Sequence, residues 1–582
     1  MATRQPPSAA SQPPPSGTIA QWSSLTLRSW TVGALPILNH FVERMQLEAI
    51  LQAHLPACDG RGKLPVARGL LVLVQNILLA REPLYGLRDW AALHDPQLLG
   101  LTSDQIGTLN DDRIGRCLTA LFQARRPALL LALLRHVVHE FQVGLQELHN
   151  DSTTISFHGA YAAAATETTH QGQTAPAITW GHSKAHRPDL KQLLYILTLS
   201  SDGGVPIHCR VTSGNVVDDT THRENWEMLC QITGSPDFLY VADCKLVTQE
   251  NLHYIASRGG RFLSVLPRTR REDAQFREQL RRGTVSWQPL WNQLDDDGTV
   301  SDRFTVAADP EVLPQGYRLW WYHSTRKATN DLASRSNRLE RATQRLRQLQ
   351  AKLQAPRSRQ RDCAQVQQHV EQILQHYEVT GLVRVAVVER PQETYHQRQR
   401  GRPGRNTEYV KRVRLRLDLD YTIDAAAVVS AQKTDGVFPL VTNDAALSAL
   451  ESLLAYKRQP AIEKRFEQLK TDFAVAPVWL KDVRRIEGLL HVYFIVLLVE
   501  ALLERELRRG MDRAGVETLP LYPEGRPCRR PTARRVIDLF APVQRHVLET
   551  TAGPTPTAVT QRTSVQSQVL RLLGLPANAY GD

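Results

Sequence analysis

The chain has 582 residues, which is more than one hydrophobic core usually holds and predicts about three or four domains. Its net charge of +12 and pI near 9.4 favour a polyanionic partner, because clustered lysines and arginines displace counterions from phosphates. The seven cysteines are scattered without a CxxC pair, which argues against a zinc ribbon or a disulfide framework and predicts a reducing, cytoplasmic compartment.

The chain begins with a polar segment and continues with a helical region. Residues 1–20 are rich in proline, serine and glutamine and lack the apolar core of a signal peptide, so they predict a disordered tail. From 21 to 141 the apolar residues recur three and four positions apart, as in ARGLLVLVQNILLA at 67–80. This spacing predicts an N-terminal all-α domain.

The period changes at LHNDSTTISFHG (148–159), where every second residue faces the same side of an extended chain. This alternation predicts a strand with Asp151 in its middle. The segment holds no basic residue to pair with that carboxylate. A local alternative is that Asp151 forms a turn with the serine and threonines that follow it.

Residues 142–270 have the pattern of an α/β unit. Two strand-like runs, at 190–201 and 205–215, flank a glycine turn and predict a hairpin. After a helical pattern, the apolar run FLYVADCKL (238–246) predicts a buried strand with Asp243 near its carboxyl end. A further helix and strand follow, so the order predicts a mixed sheet flanked by helices.

The tract from 271 to 455 predicts an α+β insertion. Its long helical pattern at 326–354 carries a leucine every seventh residue, which favours an internal packing edge over a dimer zipper. Those leucines are Leu332, Leu339, Leu346 and Leu353. The segment 395–416 contains eight lysines or arginines and one acid, so we expect the insertion to contact DNA.

Helical pattern resumes in the segment 456–510. The run PAIEKRFEQLK (460–470) begins with a proline, which suits the first turn of a helix. Its apolar residues share one face and predict a contact with a core. Glu463 and Lys470 lie on another face, roughly 10 Å apart along the axis at 1.5 Å per residue, so one substrate backbone can contact both.

The most apolar run of the chain, at 489–503, includes Glu500. It is too short and too charged to span a bilayer, so it predicts a buried helix and no membrane partner.

Residues 511–582 form a C-terminal region whose run VQSQVLRLLGL predicts a short helix. No G-x-x-x-x-G-K-[ST] motif occurs in the chain, so no nucleotide cofactor is expected.

Three acids together resemble a known family. Asp151 on a first strand, Asp243 at the end of a fourth strand and Glu463 on a helix after a long insertion resemble the DDE transposases of bacterial insertion sequences. The segment YKRQPAIEKRFEQLK also resembles the signature of that family, with Tyr456, Glu463 and Lys470 at the expected offsets. Gln459 occupies the expected arginine position, with Arg458 beside it.

Three further stretches are similar to a subgroup of these transposases: GHSKAHRPDLKQ (181–192), VADCKL (241–246) and DGVFPLVTND (435–444). The resemblance covers about 140 to 510. It implies a ribonuclease H-like α/β catalytic core formed by 142–270 and 456–510. It also implies that the helical domain at 21–141 recognises the ends of the element.

The resemblance implies a reaction and a cofactor. A DDE transposase binds the terminal inverted repeats of its element, cleaves the ends and joins them to target DNA in a synaptic homodimer. Asp151, Asp243 and Glu463 would hold Mg²⁺, for which Mn²⁺ can substitute, because these ions prefer carboxylate oxygens. The partner of the Asp151 carboxylate is then a metal ion. Such a transposase would be cytoplasmic and, when bound to DNA, associated with the nucleoid.

Seven other residues are candidate DNA contacts. By the resemblance, Lys470 would contact a phosphate, and Tyr456 and Arg458 would position the DNA end. His182 and Lys184 of the GHSK segment are placed in a loop by the flanking glycine and proline, which favours DNA contact over metal binding by His182 and His186. Arg400 and Arg402, in the sequence RGRP, resemble an arginine hook for a narrow minor groove, and a plain basic hairpin tip is the alternative.

Simpler explanations remain open for each acid. Asp243 can be a helix N-cap, and Glu463 can be a favourable charge in the first turn of a helix. Glu467, Glu487 and Glu500 are rival third acids. Two other functions also remain open: a ribonuclease H-like endonuclease without strand transfer, and an inactive DNA-binding relic of a transposase.

Overall fold

The computed structural model describes residues 26–56, 64–184, 186–295, 298–308, 310–355, 362–473, 475, 478–522, 524–549 and 557–581. The disordered tail expected at 1–20 lies outside these residues. The described part is a mixed α/β protein in which helices flank a mixed sheet of ten strands. The α/β prediction for the core is therefore confirmed.

The α-helices are α1 (Leu35–Arg44), α2 (Leu47–His54), α3 (Val66–Leu79), α4 (Leu87–Ala92), α5 (Ser103–Ile106), α6 (Asp111–Gln123), α7 (Arg126–Phe141), α8 (His222–Thr233), α9 (Gln249–Ser257), α10 (Arg271–Arg282), α11 (Thr325–Gln354), α12 (Cys363–His376), α13 (Ala425–Gln432), α14 (Ala449–Lys457), α15 (Pro460–Glu467), α16 (Val483–Ala514), α17 (Ala533–Phe540) and α18 (Ser564–Leu573).

The strands are β1 (Thr26–Thr31), β2 (Glu147–Phe157), β3 (Thr168–His170), β4 (Gln173–Ala175), β5 (Lys191–Ser200), β6 (Pro206–Ser213), β7 (Leu239–Ala242), β8 (Arg261–Val265), β9 (Trp287–Leu294), β10 (Val300–Ala307), β11 (Glu311–Val312), β12 (Arg318–Ser324), β13 (Val383–Gln397), β14 (Tyr409–Ile423), β15 (Val437–Thr442), β16 (Gln544–Glu549) and β17 (Thr557–Val559).

The chain divides into two compact units. The first unit contains the described residues of Met1–Val241, His253–Gly260 and Arg458–Asp582. The second unit contains Ala242–Leu252 and Arg261–Lys457. Each unit is built from segments that are separated in the sequence, so neither could be delimited by a single linker.

Helix α16 forms the apolar centre of the first unit. It packs against α6, α3, α1, β6 and α18. Its residues from Val492 to Val499 are all buried, which confirms the buried helix expected at 489–503. By length and composition, α16 is the one described helix that could cross a membrane, so the expectation that this segment is too short and too charged to do so is wrong. Nearly all of its apolar stretch is covered by the protein. Two bent helix pairs, Val66–Leu79 with Leu84–Ala92 and Asp111–Gln123 with Arg126–Phe141, pass the same test when each pair is taken together.

The N-terminal region is helical only from Leu35 onward. Residues 26–31 form β1, which pairs antiparallel with β16 in a three-stranded sheet completed by β17. The expectation of an all-α region from residue 21 is therefore wrong at this strand. The pairing joins residues more than 500 positions apart, and a local apolar pattern carries no information about such a partner.

The first unit also holds four strands of the large sheet, in the order β6, β5, β2, β7. Strand β5 is antiparallel to both of its neighbours, so the hairpin expected at 190–215 is confirmed. Asp151 lies in the middle of β2 opposite Leu197 of β5. The turn expected as an alternative for Asp151 is therefore wrong.

The second unit holds the strands β8, β15, β12, β10 and β9 in this order, with β11 beside β12. Strands β13 and β14 form a separate two-stranded ribbon, in which 15 residue pairs are in register. Helices α11 and α12 pack on the inner half of this ribbon. The outer half, with the turn at 398–408, is exposed.

The leucine stripe of α11 is an internal packing edge. Leu339, Leu346 and Leu353 are buried in a cluster with residues of α12, β13 and β14. Leu332, the first leucine of the stripe, is 43% exposed. The packing-edge interpretation is thus confirmed for three of the four leucines.

We predict that Leu346→Ala destabilises this cluster by about 3 kcal/mol, because it leaves a cavity around a fully buried side chain. Leu332→Ala is the matched control, and its half-exposed position predicts a change within about 0.5 kcal/mol. Hydrogen exchange of peptides from α11 and α12 measures both effects. Equal protection in the two variants would contradict the packing described for Leu346.

Candidate active site

Asp151 is a half-buried carboxylate with a basic neighbour. Its Oδ1 accepts a hydrogen bond of 2.7 Å from the backbone N–H of Ser152. The Nζ of Lys184 lies 3.5 Å from the same oxygen. The expectation that Asp151 has no basic partner is therefore wrong, because the loop at 181–190 brings Lys184 to the strand from 33 positions away.

Burial is the main influence on this carboxylate. It raises the pKa of Asp151, while the charge of Lys184 and the N–H of Ser152 partly offset the rise. The exposed fractions of the two side chains are 23% for Asp151 and 27% for Lys184. A carboxylate that is partly removed from water in this way gains more than an exposed one from a bound cation.

Asp218 completes this group of charges, and it was not among the residues expected from the sequence. It begins a short 3₁₀ turn (Asp218–Thr221) before α8, and its Oδ2 lies 2.9 Å from Nζ of Lys184. The ammonium therefore lies within reach of two carboxylates. The only sequence signal was the pair of acids Asp218 and Asp219 between a strand and a helix, which is also the usual composition of a turn.

A buried polar clamp joins the start of α15 to β2. The Nδ1 of His149 contacts Oε1 of Gln459 at 2.8 Å, and Nε2 of Gln459 donates to the carbonyl of Asn150 at 3.2 Å. The second ring nitrogen of His149 contacts Oε1 of Glu147 at 2.7 Å. Since Oε1 of Gln459 can only accept, Nδ1 of His149 is the donor in their contact.

Arg458 extends the clamp at its exposed end. Its guanidinium forms two hydrogen bonds with the carboxylate of Glu147, one of them at 2.6 Å. Burial alone would raise the pKa of Glu147, but the hydrogen bonds from Arg458 and His149 lower it to about 2. The expected DNA contact of Arg458 stays a prediction, and any such contact must share the guanidinium with Glu147.

The clamp uses both ends of the Gln459 amide. The side chain of Gln459 is buried and uses one acceptor and one donor. A guanidinium has no acceptor for His149. The local structure is therefore built for an amide at this position.

We predict that Gln459→Arg destabilises the first unit by about 1–3 kcal/mol, because a buried donor of His149 loses its acceptor. Gln459→Glu keeps an acceptor for His149 and is expected to lower the melting temperature less. Thermal unfolding followed by circular dichroism compares the two variants. A higher melting temperature for Gln459→Arg than for Gln459→Glu would contradict the hydrogen-bond assignment.

Glu463 lies one helical turn after Gln459, on the predicted helix α15. The apolar residues Ile462, Phe466 and Leu469 are buried, as expected, and Glu463 is exposed. The α-helix ends at Glu467 and continues as a π turn, Gln468–Asp472, rather than as a regular helix to Lys470.

Lys470 interacts electrostatically with Asp151 and Lys184. Burial and the nearby charge of Lys184 lower the pKa of Lys470, and the charge of Asp151 opposes this change. Gln459 thus contacts β2 next to Asp151 at the start of the helix, and Lys470 approaches Asp151 after its end. Glu463 lies between these two positions along the same helix.

Asp243 and Tyr456 belong to the second unit. The carboxylate of Asp243 accepts the N–H of Lys245 at 3.1 Å and caps the 3₁₀ turn Cys244–Leu246, and its carbonyl accepts the hydroxyl of Ser264 at 2.7 Å. The capping role considered for Asp243 is therefore confirmed, and its metal role stays a prediction. Tyr456 is half-buried against Phe438, with ring centroids 6.3 Å apart.

Two of the rival third acids have structural partners. Glu487 pairs with Arg126 at 3.1 Å, and burial raises its pKa to about 7. Glu500 accepts a hydrogen bond from Gln468, and burial together with the charge of Glu504 raises its pKa to about 8. Both lie in the interior of the first unit, whereas Glu467 is exposed on α15.

The other expected DNA contacts lie on the surface. His182 is exposed in a loop, and its carbonyl accepts a hydrogen bond from Gln192. Arg400 and Arg402 are exposed in the turn between β13 and β14. The basic segment is thus the tip of a hairpin, and groove binding by its arginines stays a prediction.

The chemistry of the donor set is suitable for a hard cation. The ammonium of Lys184 acts as a stand-in ion, with oxygens of Asp151, Asp218 and Ser152 within 3.5 Å of its Nζ. Mg²⁺ uses the same kind of oxygen ligands. Among the residues that the structure describes, no cluster of three or more His, Cys, Asp or Glu side chains is arranged to hold a metal ion.

No protein-family model matches the chain, and no curated protein matches it. The resemblance to DDE transposases therefore depends on the residues and their arrangement alone.

Proposed function

We propose that the protein is a DDE-type DNA transposase with a ribonuclease H-like core. The observation that carries the proposal is the surroundings of Asp151. This half-buried acid lies in mid-strand beside a cationic group, and the helix that bears Glu463 is hydrogen bonded to the same strand through Gln459. The order of the strands supports the core assignment, since β2 has β5, the first strand of the β5–β6 hairpin, on one side and β7 on the other.

The proposed acids are Asp151, Asp243 and Glu463. Asp151 and Glu463 belong to the first unit, and Asp243 follows the last residue of β7 and belongs to the second. Bound Mg²⁺ or Mn²⁺ would activate the attacking oxygen and stabilise the leaving oxygen during displacement at a DNA phosphorus atom. The half-buried position of Asp151 strengthens its attraction for a cation, and the clamp at Gln459 holds α15 in a fixed position against β2.

The remaining residues bind and orient DNA in this proposal. Lys470 and Lys184 place positive charge near Asp151, which suits contact with the phosphate to be attacked. Arg400 and Arg402 project at the tip of the long ribbon, away from the helices that pack on its inner half. Arginines in this position suit contact with a DNA groove or backbone at a distance from the reaction.

Cleavage and strand transfer on labelled DNA test the proposal. The substrate carries the sequences that flank the gene, and reactions contain Mg²⁺, Mn²⁺ or EDTA. A transposase is expected to give metal-dependent nicks at the ends and products joined to a second DNA. Nicks without joined products would indicate an endonuclease, and binding without nicks under every condition would indicate a DNA-binding relic. In the cell, the proposal implies a synaptic homodimer and a cytoplasmic protein on the nucleoid.

A further inference from the structure

The ammonium of Lys184 is surrounded by four oxygen atoms. It donates to the carbonyl of Ser152 at 2.8 Å and to the hydroxyl of the same residue at 2.6 Å. It also lies 2.9 Å from Asp218 and 3.5 Å from Asp151. An ammonium has only three donors, so the most distant oxygen, on Asp151, is the contact that the lysine can release with the least loss.

The positive charge of Lys184 reduces the net negative charge that attracts a divalent cation to Asp151. An opposite charge within about 4–6 Å of a carboxylate stabilises its ionised form, and a positive neighbour repels any further cation. Lys470 adds positive charge near the same place, and Asp218 adds negative charge behind Lys184. The balance between these groups sets how strongly Asp151 attracts a metal ion.

We propose that Lys184 is the internal counter-ion of Asp151, that it competes with a divalent cation for this carboxylate, and that Asp218 is the positioning residue that draws Lys184 away. The inference rests on the proposed function, because it takes Asp151 as the residue that meets the cation. It explains why the shorter ion pair of Lys184 is with Asp218, a residue outside the predicted triad.

Each residue has a defined role in this arrangement. With Lys184 in place, Asp151 and Asp218 share one cation, which reduces the repulsion between the two carboxylates when no metal is bound. The anchor at Asp218 and Ser152 keeps the ammonium at the edge of the Asp151 carboxylate. Removal of Asp218 would let the ammonium move onto Asp151 and strengthen the competition.

Binding of Mn²⁺ to the full chain, measured by electron paramagnetic resonance without DNA, tests the inference. Lys184→Gln removes the charge but keeps a donor for Ser152, and we expect it to bind Mn²⁺ about tenfold more tightly than the unaltered protein. Lys184→Arg keeps the charge and is expected to bind about as weakly as the unaltered protein. Asp218→Asn is expected to bind more weakly still.

The double variant Lys184→Gln with Asp218→Asn distinguishes a positioning role from direct ligation. If Asp218 acts only through Lys184, the double variant binds Mn²⁺ as tightly as Lys184→Gln. Weaker binding by the double variant would mean that Asp218 attracts the cation itself, as a ligand or through its charge, and would overturn the positioning role. Thermal melts without metal establish that each variant folds.

Two further results separate this inference from the proposed function. If Asp151→Asn abolishes Mn²⁺ binding but Lys184→Gln leaves the affinity unchanged, the competition is overturned and the metal role of Asp151 stands. If Asp151→Asn binds Mn²⁺ as well as the unaltered protein, both ideas are overturned. If Lys184→Gln does not fold, Asp218→Asn is the variant that tests the inference. Mn²⁺ binding by Asp218→Asn that is unchanged or tighter than that of the unaltered protein would overturn the competition.

Discussion

Asp151→Asn is expected to abolish DNA cleavage, by on the order of a thousandfold or more, while DNA binding stays within about twofold. The substitution keeps the size of the side chain and an oxygen that can accept the N–H of Ser152. It removes the negative charge on which the attraction for a cation depends. Cleavage of labelled end DNA and a binding titration at the same salt concentration measure the two effects.

Asp189→Asn is the matched control for this variant. Asp189 is an exposed aspartate in the same unit, and it pairs with Arg187 at 2.7 Å in the loop that carries Lys184. We expect it to cleave DNA at the unaltered rate. If Asp151→Asn melts at a much lower temperature and loses DNA binding together with cleavage, Asp151 is a structural residue and the proposed function loses its main support.

The largest expected loss of stability follows from Arg465→Met. Arg465 is buried on α15, and its guanidinium pairs with the buried carboxylate of Glu504 at 3.0 Å. It also donates to the carbonyl of Gly204 at 3.2 Å, in the turn between β5 and β6. Without Arg465, the buried Glu504 carboxylate keeps only the more distant Arg508, at 3.6 Å, and the backbone N–H of Ala533, and we expect a loss of about 3–5 kcal/mol.

Urea unfolding followed by circular dichroism measures this loss as a lower midpoint of the transition of the first unit. Lys464→Met is the control, because Lys464 is the exposed neighbour of Arg465 on the same helix. We expect the control to change the midpoint little. Equal midpoints for the two variants would contradict the structural role of the Arg465 ion pair.

The regular elements of the chain were largely predictable from local patterns. The alternation through Asp151, the apolar run before Asp243 and the spacing of Ile462, Phe466 and Leu469 each correspond to an element of the expected type. These patterns record which side of a strand or helix meets the core. That information is contained within about ten residues of sequence.

The surroundings of Asp151 were not predictable in the same way. Lys184 and Asp218 reach the carboxylate through loops, and loop paths have no periodic signature. The clamp between His149 and Gln459 joins residues 310 positions apart, and each residue alone is an unremarkable polar side chain. The π turn after Glu467 likewise depends on tertiary contacts that the helical pattern of 460–470 does not contain.

The pairing of β1 with β16 has a consequence for the order of events during protein synthesis. Residues 26–31 leave the ribosome more than 500 residues before their partner strand, 544–549. The second unit lies within 242–457, apart from the stretch 253–260, so nearly all of its chain has emerged before the first unit is complete. A nascent chain that stops before residue 544 therefore holds an unpaired N-terminal strand, and such a strand offers open backbone groups to any other chain nearby.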